Sequence, residues 1–442
     1  MSKINRIIQV EERVPLKMGI PLGFQHTFAM FSASVLVPYI LGISPAIALL
    51  MNGIGTLIFI FVTKGKSPAY LGSSFAFISP ALLVINDPSL GYRYALGGFV
   101  VTGCIFMIVA VIIKFAGVHW IDVVLPPAAM GPVVALIGLE LAGNAAQNGG
   151  IVLTENYTKI DPKLALVFVI TLAIAIFGQV LFRGFASAIA ILISIVAGYC
   201  VALAVGIVDF TNLESQAWLQ MPNFLAPKFS AQAIAIIIPA SLVVISEHIG
   251  HQVVTSEIIE RNLLEDPGLH KTLFCDGIST TLSGFCGSVP TTTYGENIGV
   301  MAITKVYSVW VIGGAAVISI LLSFIGKASG LIQTIPAPVM GGVSFLLYGM
   351  IGASGIRLIV DKKVDYSRPR NLALTSVIFI TGLSGAYIQL GSAKLTGMSL
   401  ATVVGIVLGI LFYLLDKFKL TNDIDDVEAA EAAEMAETAA EK

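Results

Sequence analysis

Two carboxylates stand inside apolar stretches of this 442-residue sequence. Glu296 lies in TTTYGENIGV and Glu247 lies in VVISEHIGH, and neither stretch contains Lys or Arg. Ionisable residues inside apolar spans are rare and usually functional. An ionised carboxylate accepts hydrogen bonds, and a protonated one also donates. Because desolvation disfavours the charged form of a carboxylate, such residues could bind a polar solute and carry a proton with it.

The neighbours of the two carboxylates extend the predicted site. His251 follows Glu247 by one helical turn on the same face, so it could hold that carboxylate or share its proton. Half-helices that begin near Phe75 and Gly295 would present main-chain N–H groups to carbonyl or anionic oxygens. Two carboxylates and two amides suit a flat heterocycle with both N–H and C=O groups. Tyr294 could stack on such a ring.

Further polar residues beside these positions are candidates for an outer ring of the site. They are Gln25, His26, Ser73, Ser74, Asn297 and Thr304. Glu140 has a direct role or a structural one in which a neighbouring helix caps it. His248 points away from Glu247 on a helix and is expected to pack behind it. No Cys or His spacing predicts a metal site, and no cofactor is predicted.

Composition sets the class of protein that must position these residues. The chain is 56% hydrophobic and 12% charged, with a mean hydropathy of +0.90, whereas soluble domains carry about 25% charged residues. Long apolar runs with short polar loops predict an all-α polytopic membrane protein. No nucleophile–base pair, metal cluster or phosphate loop is present, and the loops at 144–162 and 209–230 are too short for a catalytic domain. An enzyme is therefore not expected.

Fourteen spans of roughly 20 residues each are predicted. They lie at about 17–39, 43–63, 67–86, 94–117, 124–143, 163–182, 184–208, 231–255, 270–286, 290–304, 307–325, 331–355, 371–389 and 394–416. The third and tenth are rich in Gly, Ser, Thr and Pro, which predicts broken helices. With the N-terminus inside, eighteen Lys and Arg residues fall in inside loops and six in outside loops. The positive-inside rule then places both termini in the cytoplasm.

Four pieces of the sequence recur in order and predict an internal repeat. QH, NGIGTL, a Gly pair and LPPAAMG return as EH, DGISTTL, a Gly pair and IPAPVMG, at offsets of 222, 224, 216 and 210. Each half holds seven spans, an odd number, so the second copy must be inverted, as in many secondary transporters. An offset of 223 places Gly72 on Gly295 and makes the two broken segments equivalent.

GENIGVMAITK resembles the signature of the nucleobase–ascorbate transporter family, also called nucleobase–cation symporter family 2. That signature is Glu, Gln or Pro followed by N-x-G-x-x-x-x-T-[R/K/G], and Glu296, Asn297, Gly299, Thr304 and Lys305 fill it here. QH at 25–26 is similar to the family's first-span motif. PAYLGSSFAFISP, SEHIGH and VDYSRPRNL look like the bacterial uracil-transporting members. The resemblance runs from about residue 15 to about residue 419.

The resemblance implies an architecture. It implies fourteen transmembrane segments in two inverted seven-segment repeats, with short strands in segments three and ten. A core domain would comprise 17–117 and 231–325, and a gate domain 124–208 and 331–416. The segment 1–16 and the acidic tail 421–442 would be cytoplasmic. The family also implies elevator-type movement of core against gate and a homodimer formed through the gate domains.

The resemblance further implies proton-coupled import of uracil or a related nucleobase across the bacterial inner membrane, with no nucleic-acid partner. Glu247 and Glu296 would bind the ring, the amides of Phe75 and Gly295 would meet its carbonyls, and His251 would serve proton coupling. Xanthine and urate carriers usually have Gln at the position of Glu296, so Glu favours a pyrimidine. A purine permease, a broader pyrimidine carrier and an anion exchanger on the same fold are the alternatives, although acidic residues repel anions.

Overall fold

A computed structural model of the chain describes residues 7–153, 159–390 and 393–421. The helices in these ranges are α1 Leu16–Ile40, α2 Pro45–Val62, α3 Ile78–Ile85, α4 Tyr92–Ala116, α5 His119–Val124, α6 Pro127–Asn148, α7 Pro162–Leu181, α8 Phe185–Ala188, α9 Ala190–Val205, α10 Thr211–Ser215, α11 Ala231–Ile237, α12 Pro239–Ile259, α13 Leu269–Cys286, α14 Gly295–Thr304, α15 Val309–Ser323, α16 Gly326–Gln333, α17 Ala337–Asp361, α18 Pro369–Leu383 and α19 Gly397–Lys417. The strands are β1 Leu71–Ser73, β2 Thr291–Thr293, β3 Tyr387–Leu390 and β4 Ala393–Thr396, and Phe75–Phe77 forms a 3₁₀ turn before α3.

Within the described ranges, eight helical stretches are long and apolar enough to cross a membrane. They are α1, α2, α4, α6, α7, α11 together with α12, α17 and α19. Three shorter apolar helical pieces coincide with the predicted third, seventh and eleventh spans. The other three predicted spans overlap α13, α14 and α18. The protein is therefore an all-helical, multi-pass membrane protein.

One predicted span ends differently. The stretch 371–389 was expected to be helical throughout, but α18 ends at Leu383 and the hairpin of β3 and β4 follows. The prediction was wrong because the apolar composition of AYIQL fits a strand as well as a helix. Two residues, Gly and Ser, separate the strands, which is a spacing typical of hairpins.

The order and packing of the elements repeat. The elements from α1 to α4 follow the order helix, helix, strand, helix, helix, and those from α12 to α15 follow the same order. Helix α2 packs against α15, and α4 packs against α13, so the second and fourth helices of the two halves exchange partners. Helix α6 packs against α17. Helix α7 of the first half packs on α17, and helix α18 of the second half packs on α6 in the corresponding way. Reciprocal packing of this kind is what two related halves produce.

The two broken segments meet through β1 and β2, which pair antiparallel. Just beyond the strands, the Ser74 N–H donates to the Pro290 carbonyl at 2.9 Å, and the Tyr294 N–H donates to the Tyr70 carbonyl at 3.0 Å. Ser74 corresponds to Tyr294 and Tyr70 to Pro290 at a separation of 220 residues in both cases. The strand pair therefore obeys a local two-fold relation.

That relation corrects the predicted alignment. Gly72 was matched with Gly295, but Gly295 begins α14 as Phe75 begins the 3₁₀ turn, so the match was three residues out. The two glycines have different surroundings. A Cβ on Gly72 would overlap the ring of Tyr294, whereas a Cβ on Gly295 would face the imidazole of His251.

The segment before α1 forms an N-terminal strap, residues 8–12. Ile8 makes a parallel bridge with Val306, and the Val309 N–H donates to the Val10 carbonyl at 2.9 Å. Val10 has no exposed surface. The strap thereby fastens the connection between α14 and α15.

Candidate functional site

The structure brings the two predicted carboxylates together. Glu247 lies in the middle of α12, and Glu296 is the second residue of the short helix α14. Helices α12 and α14 pack against each other. Within the described ranges, neither carboxylate is hydrogen-bonded to another side chain, and the Glu296 carboxylate accepts its own main-chain N–H.

Glu296 faces a small cavity between two groups of helices. One wall comes from α1 and α14, and the other comes from α7, the α8–α9 region and α17. Its lining includes Phe28, Ala29, Glu296, Gln179, Leu347 and Met350. Helices α1 and α14 belong to the predicted core domain, and α7 to α9 and α17 belong to the predicted gate domain. The carboxylate thus opens onto the space between those two parts.

His251 connects α12 to the second broken segment. Its Nδ1 lies 3.1 Å from the Thr293 hydroxyl at the end of β2. Its Nε2 lies 3.2 Å from the point that a Cβ on Gly295 would occupy. The imidazole therefore lies against the first residue of α14, and His251 follows Glu247 by one turn of α12.

Phe75 and Gly295 begin opposed helical elements on either side of the strand pair. The first N–H groups of a helix have no partner inside it, and the helix dipole adds positive potential there. Gly295 directly precedes Glu296 in the chain, and Phe75 takes the equivalent place at the start of the first broken helix. The two starts differ, since Phe75 leads into a 3₁₀ turn and Gly295 into a regular helix.

Tyr294 and the paired serines pack at the same place. Tyr294 is 4% exposed, and its hydroxyl donates to the main-chain carbonyl of Ser73 at 2.9 Å. The hydroxyls of Ser73 and Ser74 are buried and have no hydrogen-bond partner among the described residues. The ring of Tyr294 lies against Gly72, so part of its surface is already used in packing.

A hydrogen-bonded pair fixes α14 to α1. The Asn297 Nδ2 lies 3.1 Å from the His26 Nδ1 and 3.1 Å from the His26 carbonyl oxygen. Both side chains are buried, as is Gln25. The two motif elements that the sequence separates by about 270 residues therefore contact each other beside the site.

Thr304 lies away from the carboxylates. It is the last residue of α14, about 12 Å along the helix axis from Glu296. Its hydroxyl donates to the Val300 carbonyl at 2.8 Å and accepts the Val306 N–H at 3.3 Å. These hydrogen bonds lie at the C-terminus of α14 and stabilise it.

Sequence reasoning missed a buried acidic residue behind the site. Asp276, on α13, has its Oδ2 2.8 Å from His248 Nδ1 and 3.1 Å from the hydroxyl of Thr292 in β2. Asp276 and His248 have no exposed surface, and Asp276 interacts electrostatically with Glu247. A signal was present, since an ionisable residue inside a predicted span is functional by default, but Asp276 served only to mark the repeat.

Glu140 contacts the start of a neighbouring helix. Its Oε2 accepts the Met398 N–H at 3.0 Å at the start of α19. Gly397 has no side chain where the carboxylate lies, and a Cβ there would overlap it. Glu140 therefore caps a neighbouring helix.

Two related halves with opposed, broken helices between their spans are the plan of many secondary transporters. The xanthine and uracil permease model of the Permease family matches residues 18–391. The chain belongs to this family, as the signature at 296–305 predicts, and it is a membrane permease and not an enzyme.

Two related proteins and one solved structure are similar to this chain over nearly its whole length. The chain is 56% identical over 414 residues to the uracil permease of Escherichia coli K12, covering 94% of this chain and 96% of that protein. It is 55% identical over 422 residues to the uracil permease of Paenibacillus larvae, covering 95% and 100%. The transmembrane domain of the cyanobacterial bicarbonate transporter BicA matches with a TM-score of 0.61 at 16% identity, covering 92% of this chain and 99% of that one. That last likeness concerns the fold alone.

Proposed function

We propose that this protein imports uracil together with protons across the bacterial inner membrane. The observation that carries the proposal is similarity over nearly the whole chain, at 55% and 56% identity, to proteins named uracil permease. The site supports it independently, because its donors and acceptors match a small neutral heterocycle. The proton gradient takes the place of a cofactor.

The proposed binding mode follows from hydrogen-bond complementarity. Uracil carries ring N–H groups and carbonyl oxygens on the edges of a flat ring. Glu247 and Glu296 accept the N–H groups, and the main-chain amides of Phe75 and Gly295 donate to the carbonyl oxygens. Tyr294 contributes apolar surface beside the ring. The remaining polar neighbours hold these groups in place.

Proton coupling is assigned to Glu247, His251 and Glu296. Two carboxylates that interact in one site titrate as a pair rather than singly. A proton held by the pair while a neutral base is bound would move with that base. His251 lies next to both elements and can hold the Glu247 side chain or exchange the proton with it.

The proposed mechanism moves a core domain against a gate domain. The core comprises 17–117 and 231–325, and the gate comprises 124–208 and 331–416, as fourteen segments in two inverted repeats. Two observations support this division. The cavity at Glu296 lies between helices of the two parts, and the two halves pack reciprocally. We further propose a homodimer formed through the gate domains, with both termini in the cytoplasm.

The alternatives differ in the solute. A purine permease or a broader pyrimidine carrier would use the same site, and Glu at 296 favours pyrimidines. An anion exchanger has the fold likeness to BicA in its favour, but two carboxylates at the site repel anions.

Uptake of radiolabelled uracil into proteoliposomes with an inward proton gradient tests the proposal. Uracil should accumulate, a protonophore should stop it, and unlabelled uracil should compete better than thymine or xanthine. Glu296→Gln should lose this uptake. Stronger competition by xanthine would assign the protein to the purine branch, and no uptake of any base by folded protein would refute the proposal.

A further inference from the structure

Two threonines occupy the same place in the two halves of the protein. Thr56 on α2 is the last residue of NGIGT, and Thr280 on α13 is the last residue of the recurring piece DGIST. Both side chains have no exposed surface. Neither residue stood out in the sequence, and the site described above does not include them.

Each hydroxyl holds the first residue of a central strand. The Leu71 N–H donates to the Thr56 Oγ1 at 2.9 Å, and the Thr291 N–H donates to the Thr280 Oγ1 at 3.2 Å. Thr280 also donates to the Thr291 carbonyl at 2.9 Å. Thr56 donates to the Asn52 carbonyl in its own helix at 2.8 Å and lies 3.4 Å from the Leu71 carbonyl. Both hydroxyls thus contact the N–H and the carbonyl of the first strand residue, and both accept the N–H at 3.2 Å or less.

This contact is unusual for a threonine in a membrane helix. Such hydroxyls commonly bond back to a carbonyl one turn earlier in the same helix. Thr63, also on α2 and fully buried, does only that: its hydroxyl donates to the Phe59 carbonyl at 2.7 Å and lies 3.4 Å from the Ile60 carbonyl. Thr56 and Thr280 reach beyond their helices to a segment with few other backbone partners.

The held residue and the amide donor are four residues apart in both halves. Leu71 precedes Phe75, and Thr291 precedes Gly295, by the same short extended stretch. The β1–β2 ladder fixes the strands to each other, but it does not fix the pair relative to α2 and α13. On the α13 side, Asp276 and Ser279 bond threonine hydroxyls of β2, whereas Thr56 and Thr280 bond a main-chain N–H of each strand.

We infer that Thr56 and Thr280 are positioning residues, which set the placement of the Phe75 and Gly295 amides through the strands. The inference rests on the proposed function for its effect on substrate. Without the hydroxyl, the buried strand N–H loses its partner and the strand can shift to find another. A shift of the strand would move the amide donor relative to the substrate, and misplaced binding groups lower affinity.

The test compares Thr56→Val and Thr280→Val with Thr63→Val, which removes the same atoms from the same helix as Thr56. Equilibrium binding of radiolabelled uracil to purified protein should weaken about tenfold in the first two variants. Thr63→Val should bind as wild type does. Thr280→Ser keeps the hydroxyl and should restore affinity to within about twofold of wild type. Wild-type affinity in Thr280→Val, or an equal loss in Thr63→Val, would overturn the inference.

A second measurement needs no substrate. Hydrogen–deuterium exchange should speed up in peptides covering 70–76 or 290–296 when the corresponding threonine becomes valine, and Thr63→Val should leave both unchanged. If wild-type protein binds no uracil, the proposed function fails while exchange still decides the positioning role. Unchanged exchange in Thr56→Val and Thr280→Val would refute it.

Discussion

Replacing Gly295 with alanine adds one methyl group where the start of α14 faces His251. The new Cβ would stand 3.2 Å from the His251 Nε2, which is tighter than ordinary van der Waals contact. The imidazole cannot retreat freely, because its Nδ1 lies 3.1 Å from the Thr293 hydroxyl. Either the ring moves off Thr293 or the start of α14 moves, and with it the amide donor and Glu296.

The magnitude follows from the size of the clash. A shift of a few tenths of an ångström relieves the contact, and overpacking of this kind costs about 1–3 kcal/mol. Alanine is a better helix former than glycine by up to about 1 kcal/mol, which offsets part of the cost to folding. The net effect should therefore appear in binding, as a loss of about tenfold in uracil affinity, with little change in melting temperature.

The assay is equilibrium binding of radiolabelled uracil, with the melting temperature measured on the same samples. Gly299→Ala is the matched control, since Gly299 lies one turn further along α14 and nothing stands within 4 Å of its added Cβ. Wild-type affinity in Gly295→Ala, or equal losses in both variants, would refute the assignment of Gly295 and His251 to the site.

Three further outcomes are expected. Glu247→Gln should abolish saturable uracil binding at concentrations that saturate wild type, because the amide can place an N–H donor where the carboxyl oxygen accepts from the ring; retained affinity would remove Glu247 from the site. Val10→Asp should reduce uptake at least about tenfold, because it places a charge at the fully buried Val10 of the strap. Ile7 is 44% exposed, so Ile7→Asp should leave uptake unchanged. Glu140→Ala should lower the free energy of unfolding by about 1 kcal/mol, since α19 loses its cap, and the uracil affinity of folded protein should stay the same; a stability equal to that of wild type would contradict the capping role.

The strap also carries an ion pair outside the spans. The Arg261 guanidinium hydrogen-bonds Glu11 and holds the pKa of that carboxyl below its usual value. Its stabilising effect is therefore present at neutral pH and is lost as the pH falls through the lowered pKa. Both side chains are well exposed, so this pair contributes little, and the burial of Val10 is the main attachment.

Hydropathy and repeat spacing predict most of the scaffold, for a physical reason. The bilayer requires long apolar helices with internally satisfied backbones, and it makes departures from them conspicuous. Segments three and ten depart from that pattern, and they contain β1 and β2 and the starts at Phe75 and Gly295. A carboxylate in such a setting is equally conspicuous, which is why Glu247 and Glu296 can be proposed as site residues from the sequence.

Other features depend on partners that are remote in the sequence. Thr280 resembles any back-bonded threonine until its distance to β2 is known, and Asp276 pairs with His248 across two helices. The three-residue error in aligning Gly72 with Gly295 has the same origin, because identical residue types do not imply equivalent backbone roles. Side-chain hydrogen-bond partners follow from packing, which hydropathy and residue spacing do not reveal.

The movement of protons with uracil is the most direct test of the account. Proteoliposomes that contain the wild-type protein and an internal pH dye, with no imposed pH gradient, would receive external uracil. Internal acidification in step with uracil entry, absent with Glu296→Gln and with empty liposomes, is the predicted result. Uracil entry without any change in internal pH would contradict proton coupling, and no entry at all would contradict the proposed transport.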